Sequence, residues 1–353
     1  MAELKQHIDL TISKSKTAEM IDDAWFWQGN KAELRPYLGV SLIGHHCSRY
    51  LWLNFRWFSW DIQEGRLLRL FRRGQREEET VVSDLRMIGM ELDYVLDKQL
   101  DMDFGCHVKG HPDGLILSGV PEAPKTPHTL EIKTHNRESF NELESKGVMK
   151  AKPMHYAQMQ CEMLGASMTL GLKIERALYV AVSKDDDRLY TERIRLDRPY
   201  AQSLIKRGQD IAVSDYIPSP ISTKPDWWQC RFCRFHDLCH GGKLLPEIHC
   251  RTCIHFTAEK DGMCTCACYG GKEIPLEAQR KGCPCHVFHP DMVPSWELIR
   301  ENSTKDSACY WIPDFGAVLN GWEGYPSEDI KAAIRRGEHG TEDISAESDS
   351  IDF

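Results

Sequence analysis

HVKGHPDGLILSG (107–119) followed by PHTLEIKTHN (127–136) is the stretch on which the fold of this chain turns. Both segments are rich in aliphatic and β-branched residues. The connection between them, VPEAPKTP, carries three prolines, which predicts two strands joined as a hairpin or meander. Side chains alternate faces along a strand, so Glu131 and Lys133 project to one side while Ile132 faces the core. Asp113, at the end of the preceding strand, can join Glu131 in holding a hard divalent cation. Magnesium suits oxygen ligands and binds through one or two carboxylates plus phosphate. Such an ion activates water and stabilises charge on a phosphoryl oxygen, while Lys133 positions or deprotonates the nucleophile. The chemistry expected is phosphodiester hydrolysis. Two exposed strands with ordinary charges are the plain alternative for the same residues.

Outward from this pair, residues 52–92 read as mainly helical, with Leu67, Leu68, Leu70 and Phe71 on an apolar face. A polar helix is expected after residue 136. Residues 152–167 place Tyr156, Met159, Met163 and Leu164 at helical spacing behind Pro153, which suits a helix start. Residues 176–196 predict a strand, a turn at Lys184–Asp187 and a second strand. IPSPISTKPD (217–226) reads as a linker.

In this order the elements resemble the PD-(D/E)XK nuclease superfamily, with HPDGLI supplying the first acidic position and LEIKT the E-x-K. RRGQREEE contains Gly74-x-x-x-Glu78, similar to a helix of phage-type exonucleases. Glu77 and Glu79 adjoin Glu78, so that assignment rests on the spacing. Tyr156-Ala-Gln158-Met-Gln160 is similar to the Y-x-x-Q-x-Q helix of phage recombination exonucleases. The resemblance implies a restriction-endonuclease-like α/β core, a mixed central sheet flanked by helices. It implies catalytic roles for Glu78, Asp113, Glu131, Lys133 and Gln158, and Mg2+ or Mn2+ held by Glu78, Asp113, Glu131 and the Ile132 carbonyl. It covers roughly residues 40–240. The implied activity is that of a metal-dependent DNA exonuclease of phage recombination or replication type, acting on DNA ends or single strands. A restriction or repair endonuclease is the nearest rival, and a DNA-binding or redox-sensing module with a vestigial site is the rival from another class.

The chain has 353 residues, more than one hydrophobic core usually serves, which predicts a large domain with small appendages. No apolar run approaches the roughly 18 residues of a membrane span. The first residues lack a secretory h-region, which points to the cytosol of a bacterial or phage-infected cell and no membrane partner. In a reducing compartment clustered cysteines are more often metal ligands than disulfides. Ten of the 14 cysteines fall between Cys230 and Cys285. Cys230-x2-Cys233-x5-Cys239, with the distant Cys47, forms a soft four-thiolate set that suits zinc or an iron–sulfur cluster. The arrangement resembles nucleases of the AddB and CRISPR-associated RecB-like type, in which one Cys before the core and three after it staple the ends through a [4Fe-4S] cluster.

HCRTCIHF, MCTCACYGG and GCPCHVFHP (249–290) fit a zinc knuckle or ribbon. Cys250, Cys253, Cys266 and Cys283 are the favoured ligands, with Cys264, Cys268, Cys285, His286 and His289 as substitutes or a second site. Cys106 and Cys161, without nearby partners, read as buried small hydrophobes. The expected organisation is a nuclease core over 1–216, the cluster-closing cysteine segment over 217–245, a zinc module over 246–295 and an extension over 296–353.

The net charge of -9 argues against a nucleic-acid partner only until the distribution is considered. Residues 338–353 hold six acids and no Lys or Arg, leaving 44 bases against 47 acids elsewhere. Arg66, Arg69, Arg72, Arg73 and Arg76, and Lys146, Lys150 and Lys152, could track a phosphate backbone or simply be solvated helix faces. Trp52, Trp57, Trp60, Trp227 and Trp228 could stack bases, though core packing is the commoner use. The acidic tail reads as a solvated disordered end. Its last residues, SDSIDF, resemble the tip of bacterial single-stranded-DNA-binding proteins. That resemblance implies competition for replication and recombination proteins, or cover for a basic DNA groove.

Overall fold

The computed structural model describes residues 16–30, 34–60, 62–242 and 244–337; the acidic tail at 338–353 lies outside them. In chain order the elements are α1 (Lys16–Gly29), β1 (Leu38–Gly39), α2 (Val40–Ile43), α3 (Ser48–Phe55), α4 (Gly65–Met87), β2 (Glu91–Asp93), β3 (Met102–Asp103), β4 (Val108–Gly110), β5 (Gly114–Ser118) and β6 (His128–His135). Then follow α5 (Arg137–Ala151), α6 (Pro153–Leu170), β7 (Arg176–Ser183), β8 (Leu189–Arg195), α7 (Arg198–Ala212) and α8 (His236–His240). The C-terminal part holds β9 (Phe256–Ala258), β10 (Cys264–Cys266), β11 (Lys272–Glu273), α9 (Leu276–Lys281), β12 (Glu297–Ile299), β13 (Ser307–Ile312), β14 (Gly316–Gly321) and α10 (Ser327–Arg336). Among the described residues no helix is long and apolar enough to cross a membrane.

The protein is a mixed α/β molecule. Its largest sheet has the order β2-β5-β6-β7-β8, with β6 and β7 parallel and the other neighbours antiparallel. A parallel pair needs a crossover, and α5 and α6 supply it. The period-2 pattern divides the two faces. Leu130, Ile132, Leu178, Val180 and Val182 pack with Val81, Val82 and Leu85 of α4. Ala177, Tyr179 and Ala181 pack on the other side with Phe140, Leu143, Met159 and Met163 of α5 and α6. Asn136 caps α5 by accepting from the Ser139 amide at 2.9 Å, and α6 opens at Pro153.

Two expectations need correction. Residues 107–119 are not one strand. β4 pairs with β1 and β3 in a small separate sheet, and only β5 joins the hairpin with β6. Pro112 lies in the bend between them, where its missing N–H cannot serve a ladder. The helical stretch 52–92 is likewise not one helix: α3 ends at Phe55 and α4 starts at Gly65. There the Arg56 guanidinium turns inward, donating to Ser214 O at 3.1 Å and stacking over the rings of Trp52 and Phe256 at 5.0 and 4.9 Å.

The cysteine-rich part packs on the N-terminal side of the core. Phe235, Leu238, Phe256 and Met292 share one apolar cluster with Leu51, Trp52, Phe55 and Phe58. Arg251 is buried against these elements, donating to Phe55 O at 2.9 Å, Pro36 O at 2.8 Å and Gln279 Oε1 at 3.0 Å. A second cluster unites Val287, Phe288 and Trp296 with Tyr310, Val318 and Ile330.

Candidate active site and cysteine clusters

β5 begins at Gly114, where a Cβ would lie 2.5 Å from Val95 Cγ1. Just before it, Asp113 extends the hairpin with its side chain: Oδ2 accepts from the Ile132 amide at 2.7 Å. This fixes one carboxylate beside the centre of β6. Glu131 and Lys133 share a face of β6, as the alternation predicts, and form an ion pair. Lys133 Nζ also lies 3.7 Å from Asp113 Oδ2 and donates to the Ile132 carbonyl at 3.1 Å. Gln158 comes from α6, and its Nε2 donates to Glu131 Oε2 at 3.0 Å. Glu78, half-buried on α4, lines the cleft that Asp113 and Gln158 border, near enough for the charges of Asp113 and Lys133 to act on it. Glu78, Glu79 and Gln75 border the same cleft as Asp113, Gln158 and His111, whereas Glu77 is not part of its lining. A Cβ at Gly74 would meet nothing within 4 Å, so no contact requires that glycine.

The site has an excess of carboxylates for its single ammonium. Burial, and then the Asp113 charge, push Glu78 up to about 7. Burial also holds Glu131 above the ordinary carboxylate range against the pull of Lys133. Glu162 is raised further, first by burial and then by Glu131. Lys133 is held above its ordinary value by Glu131 and Asp113, which outweigh its desolvation.

Glu162 was not singled out in the sequence. It lies one turn beyond Gln158, accepts from Gln158 Nε2 at 2.8 Å, and has its other oxygen without a hydrogen-bond partner. An i, i+4 spacing from Gln158 was the available signal. Also unanticipated is a trio near Lys133, buried at His135 and Tyr179 and half-buried at His155, in which the Tyr179 hydroxyl lies 2.9 Å from both His135 Nε2 and His155 Nδ1. Burial, then nearby lysines, lower His135 to about 4 and His155 to about 3, so both rings are neutral near pH 7.

Cys47, Cys230, Cys233 and Cys239 all border one small cavity. Cys47 immediately precedes α3, Arg49 Nη1 approaches Cys239 Sγ at 3.8 Å, and the Phe235 amide donates to Cys233 Sγ at 3.4 Å. Six C-terminal thiols, Cys250, Cys253, Cys266, Cys268, Cys283 and Cys285, line a second cleft together with His255 and His286. Burial, and then Cys283 and Cys266, push Cys250 up to about 12. The other suggested ligands there are turned away. Cys264 packs in the core with Phe256, and His289 Nε2 contacts Asp215 O at 3.0 Å. His286 lies in the cleft but is engaged by Thr252 and Ser327. His255, missed in the sequence, is buried there with Nε2 unpartnered. Among the described residues no three His, Cys, Asp or Glu side chains are grouped so as to hold a metal ion as they stand.

The basic runs are largely used within the fold. Arg69 pairs with Asp22, Arg72 covers the Trp25 ring at 4.6 Å, and Arg73 donates to Lys184 O at 2.7 Å. Lys146 and Lys152 both reach Glu142, at 3.0 and 3.4 Å. Trp52 and Trp57 are buried, while Trp60, Trp227 and Trp228 are exposed. Cys161 is buried as expected. Cys106 is only half-buried; its backbone is left-handed (φ 47°) and its Sγ lies 3.3 Å from Lys260 O.

No family model matches the chain. No curated protein matches it. Among solved structures it is similar to SSO0001, with a TM-score of 0.39 and 16% identity over 64% of this chain and 97% of that one. It is also similar to LHK-Exo, an alkaline exonuclease from Laribacter hongkongensis, with a TM-score of 0.34 and 16% identity over 54% and 90% of the two chains. The same exonuclease in complex with dAMP gives 0.35 and 15% over the same shares.

Proposed function

We propose that the protein is a divalent-metal-dependent deoxyribonuclease of PD-(D/E)XK type, an exonuclease acting on DNA ends in recombination or replication. The observation that carries this reading is that Glu78, Asp113 and Gln158 border one cleft and that Glu131 and Lys133 join them through Lys133–Asp113, Lys133–Glu131 and Gln158–Glu131 contacts, with more carboxylates than Lys133 can balance. Hard carboxylate oxygens in surplus fit magnesium or manganese. Glu78, Asp113, Glu131 and the Ile132 carbonyl are the groups that would hold it. When bound, such an ion acidifies water and offsets charge developing on the phosphoryl oxygens.

This chain's residues do the rest of the work. Hydrolysis forms a bond from a water oxygen to phosphorus and breaks a phosphorus–oxygen ester bond; the attacking water gives up one proton to solvent and the leaving sugar oxygen takes one up. The Lys133 ammonium, held protonated between two carboxylates, orients the attacking water and stabilises the phosphoryl charge. As an ammonium it has no lone pair to take up the water's proton, and the flanking carboxylates disfavour the neutral amine that would. Gln158 fixes the Glu131 carboxylate through its amide hydrogen bond.

Cys47, Cys230, Cys233 and Cys239 would hold a [4Fe-4S] cluster in a structural role, supported by their shared cavity and all-sulfur donor set. Cys250, Cys253, Cys266 and Cys283 would hold zinc in the second cleft. The test is digestion of end-labelled linear and covalently closed circular DNA with magnesium. Loss of linear DNA alone fits the exonuclease, loss of both an endonuclease. Persistence of both with either metal removes the nuclease reading.

A further inference from the structure

α1 carries Trp25, Phe26 and Trp27 yet has no buried residue. Trp27 is 69% exposed and Trp60 41% exposed, the Trp60 ring standing 5.5 Å from that of His249. Isolated exposed aromatics are ordinary, but Trp27 and Trp60 line one groove together with Phe26 and Trp57, between α1 and residues 54–60 and 62–63. The wall is fixed in place. Asn30 Nδ2 donates to Gln63 O and its Oδ1 accepts from the Gln63 amide, both at 2.8 Å, and Asp22 pairs with Arg69. The groove is continuous with the carboxylate cleft, since Arg35, Tyr37, Gly39 and Ser41 line both. Arg35 is exposed at this junction, and the Tyr37 ring stands 5.9 Å from that of His111 inside the cleft.

We propose that this groove binds a single strand of nucleic acid and leads it into the cleft. Aromatic faces stack on unpaired bases of any sequence, and an arginine beside them tracks the backbone. A duplex offers such faces only at its ends, so an aromatic wall selects the unpaired strand. That the strand is then cut rests on the nuclease reading, whereas its binding does not.

The experiment measures anisotropy of a labelled oligo-dT strand, and of a blunt duplex of equal length, in EDTA so that neither is cut. Trp27→Ala and Trp60→Ala, both exposed enough to leave folding intact, should each weaken strand binding about tenfold with little effect on duplex binding. Trp27→Phe should retain most of the affinity. Unchanged strand affinity in both alanine variants overturns the proposal, as does equal loss for strand and duplex. A dimer in sedimentation that Trp27→Ala disperses would assign the face to a second copy of the chain and overturn it too. Manganese-dependent hydrolysis of bis(4-nitrophenyl) phosphate, too small to occupy the groove, should be the same in wild type and variants. If the wild type hydrolyses neither ester nor DNA while the strand-affinity losses hold, the nuclease reading falls and the groove stands.

Discussion

At the level of single residues, Lys133 is the side chain on which the proposed chemistry depends most. It lies against Glu131, Asp113 and the Ile132 carbonyl at once, yet 29% of its side chain is exposed, so its loss need not disturb the core. Lys133→Ala should lower DNA hydrolysis by about a hundredfold to a thousandfold, with an unchanged far-ultraviolet dichroism spectrum; near-normal cleavage would remove Lys133 from the mechanism. Glu78 sets a pH dependence. Its carboxyl is raised to about 7 in the folded protein, so between its ordinary value and 7 the native state binds more protons than the unfolded chain. Stability of the metal-free protein should therefore fall as pH rises through that window. Glu131 and Glu162, also raised, act in the same direction. Magnesium needs the ionised forms and should reverse the trend. Melting temperatures across pH, with and without magnesium, check both statements, and Glu78→Gln should flatten part of the slope.

At the level of elements, the site is made by the β5–β6 hairpin and by α6 crossing beside it. The hairpin was legible in its sequence because alternation puts Glu131 and Lys133 on one face wherever a strand forms. The break at Pro112 was not anticipated, although a proline without an N–H is itself a local signal. Glu162 escaped because a glutamate on a helix ordinarily faces water, and only the packing of α6 on the sheet buries this one. The four thiols around α3 and α8 lead to a separate prediction. Cys47→Ser should lose iron and the absorbance near about 400 nm expected of a four-iron cluster, while retaining zinc. Metal analysis of anaerobically purified protein reads this directly, and a colourless zinc-only wild type would replace the cluster with a zinc staple.

At the level of the whole molecule, the cysteine-rich part is joined to the N-terminal side of the core by buried cations rather than by apolar contact alone. Arg251 satisfies the carbonyls of Pro36 and Phe55 and lies 4.0 Å from the Trp57 ring centroid. Arg251→Ala would orphan both carbonyls, each at a cost of about 1–3 kcal/mol, and should lower the urea midpoint by a corresponding amount; an unchanged midpoint would show that the two parts cohere without it. The same cohesion marks the boundary of what could be derived from the chain alone. Strand alternation, the helix start at Pro153 and the clustering of thiols were determined by the sequence itself, because each depends on covalent geometry or spacing within a few residues. Tertiary structure alone decided that Arg69, Arg72 and Arg73 serve the fold, that Cys264 and His289 turn away from the C-terminal thiol cleft, and that an aromatic groove opens into the carboxylate cleft. Those outcomes depend on which surfaces meet across long sequence separations, and no local pattern encodes a partner that folding has yet to bring into contact.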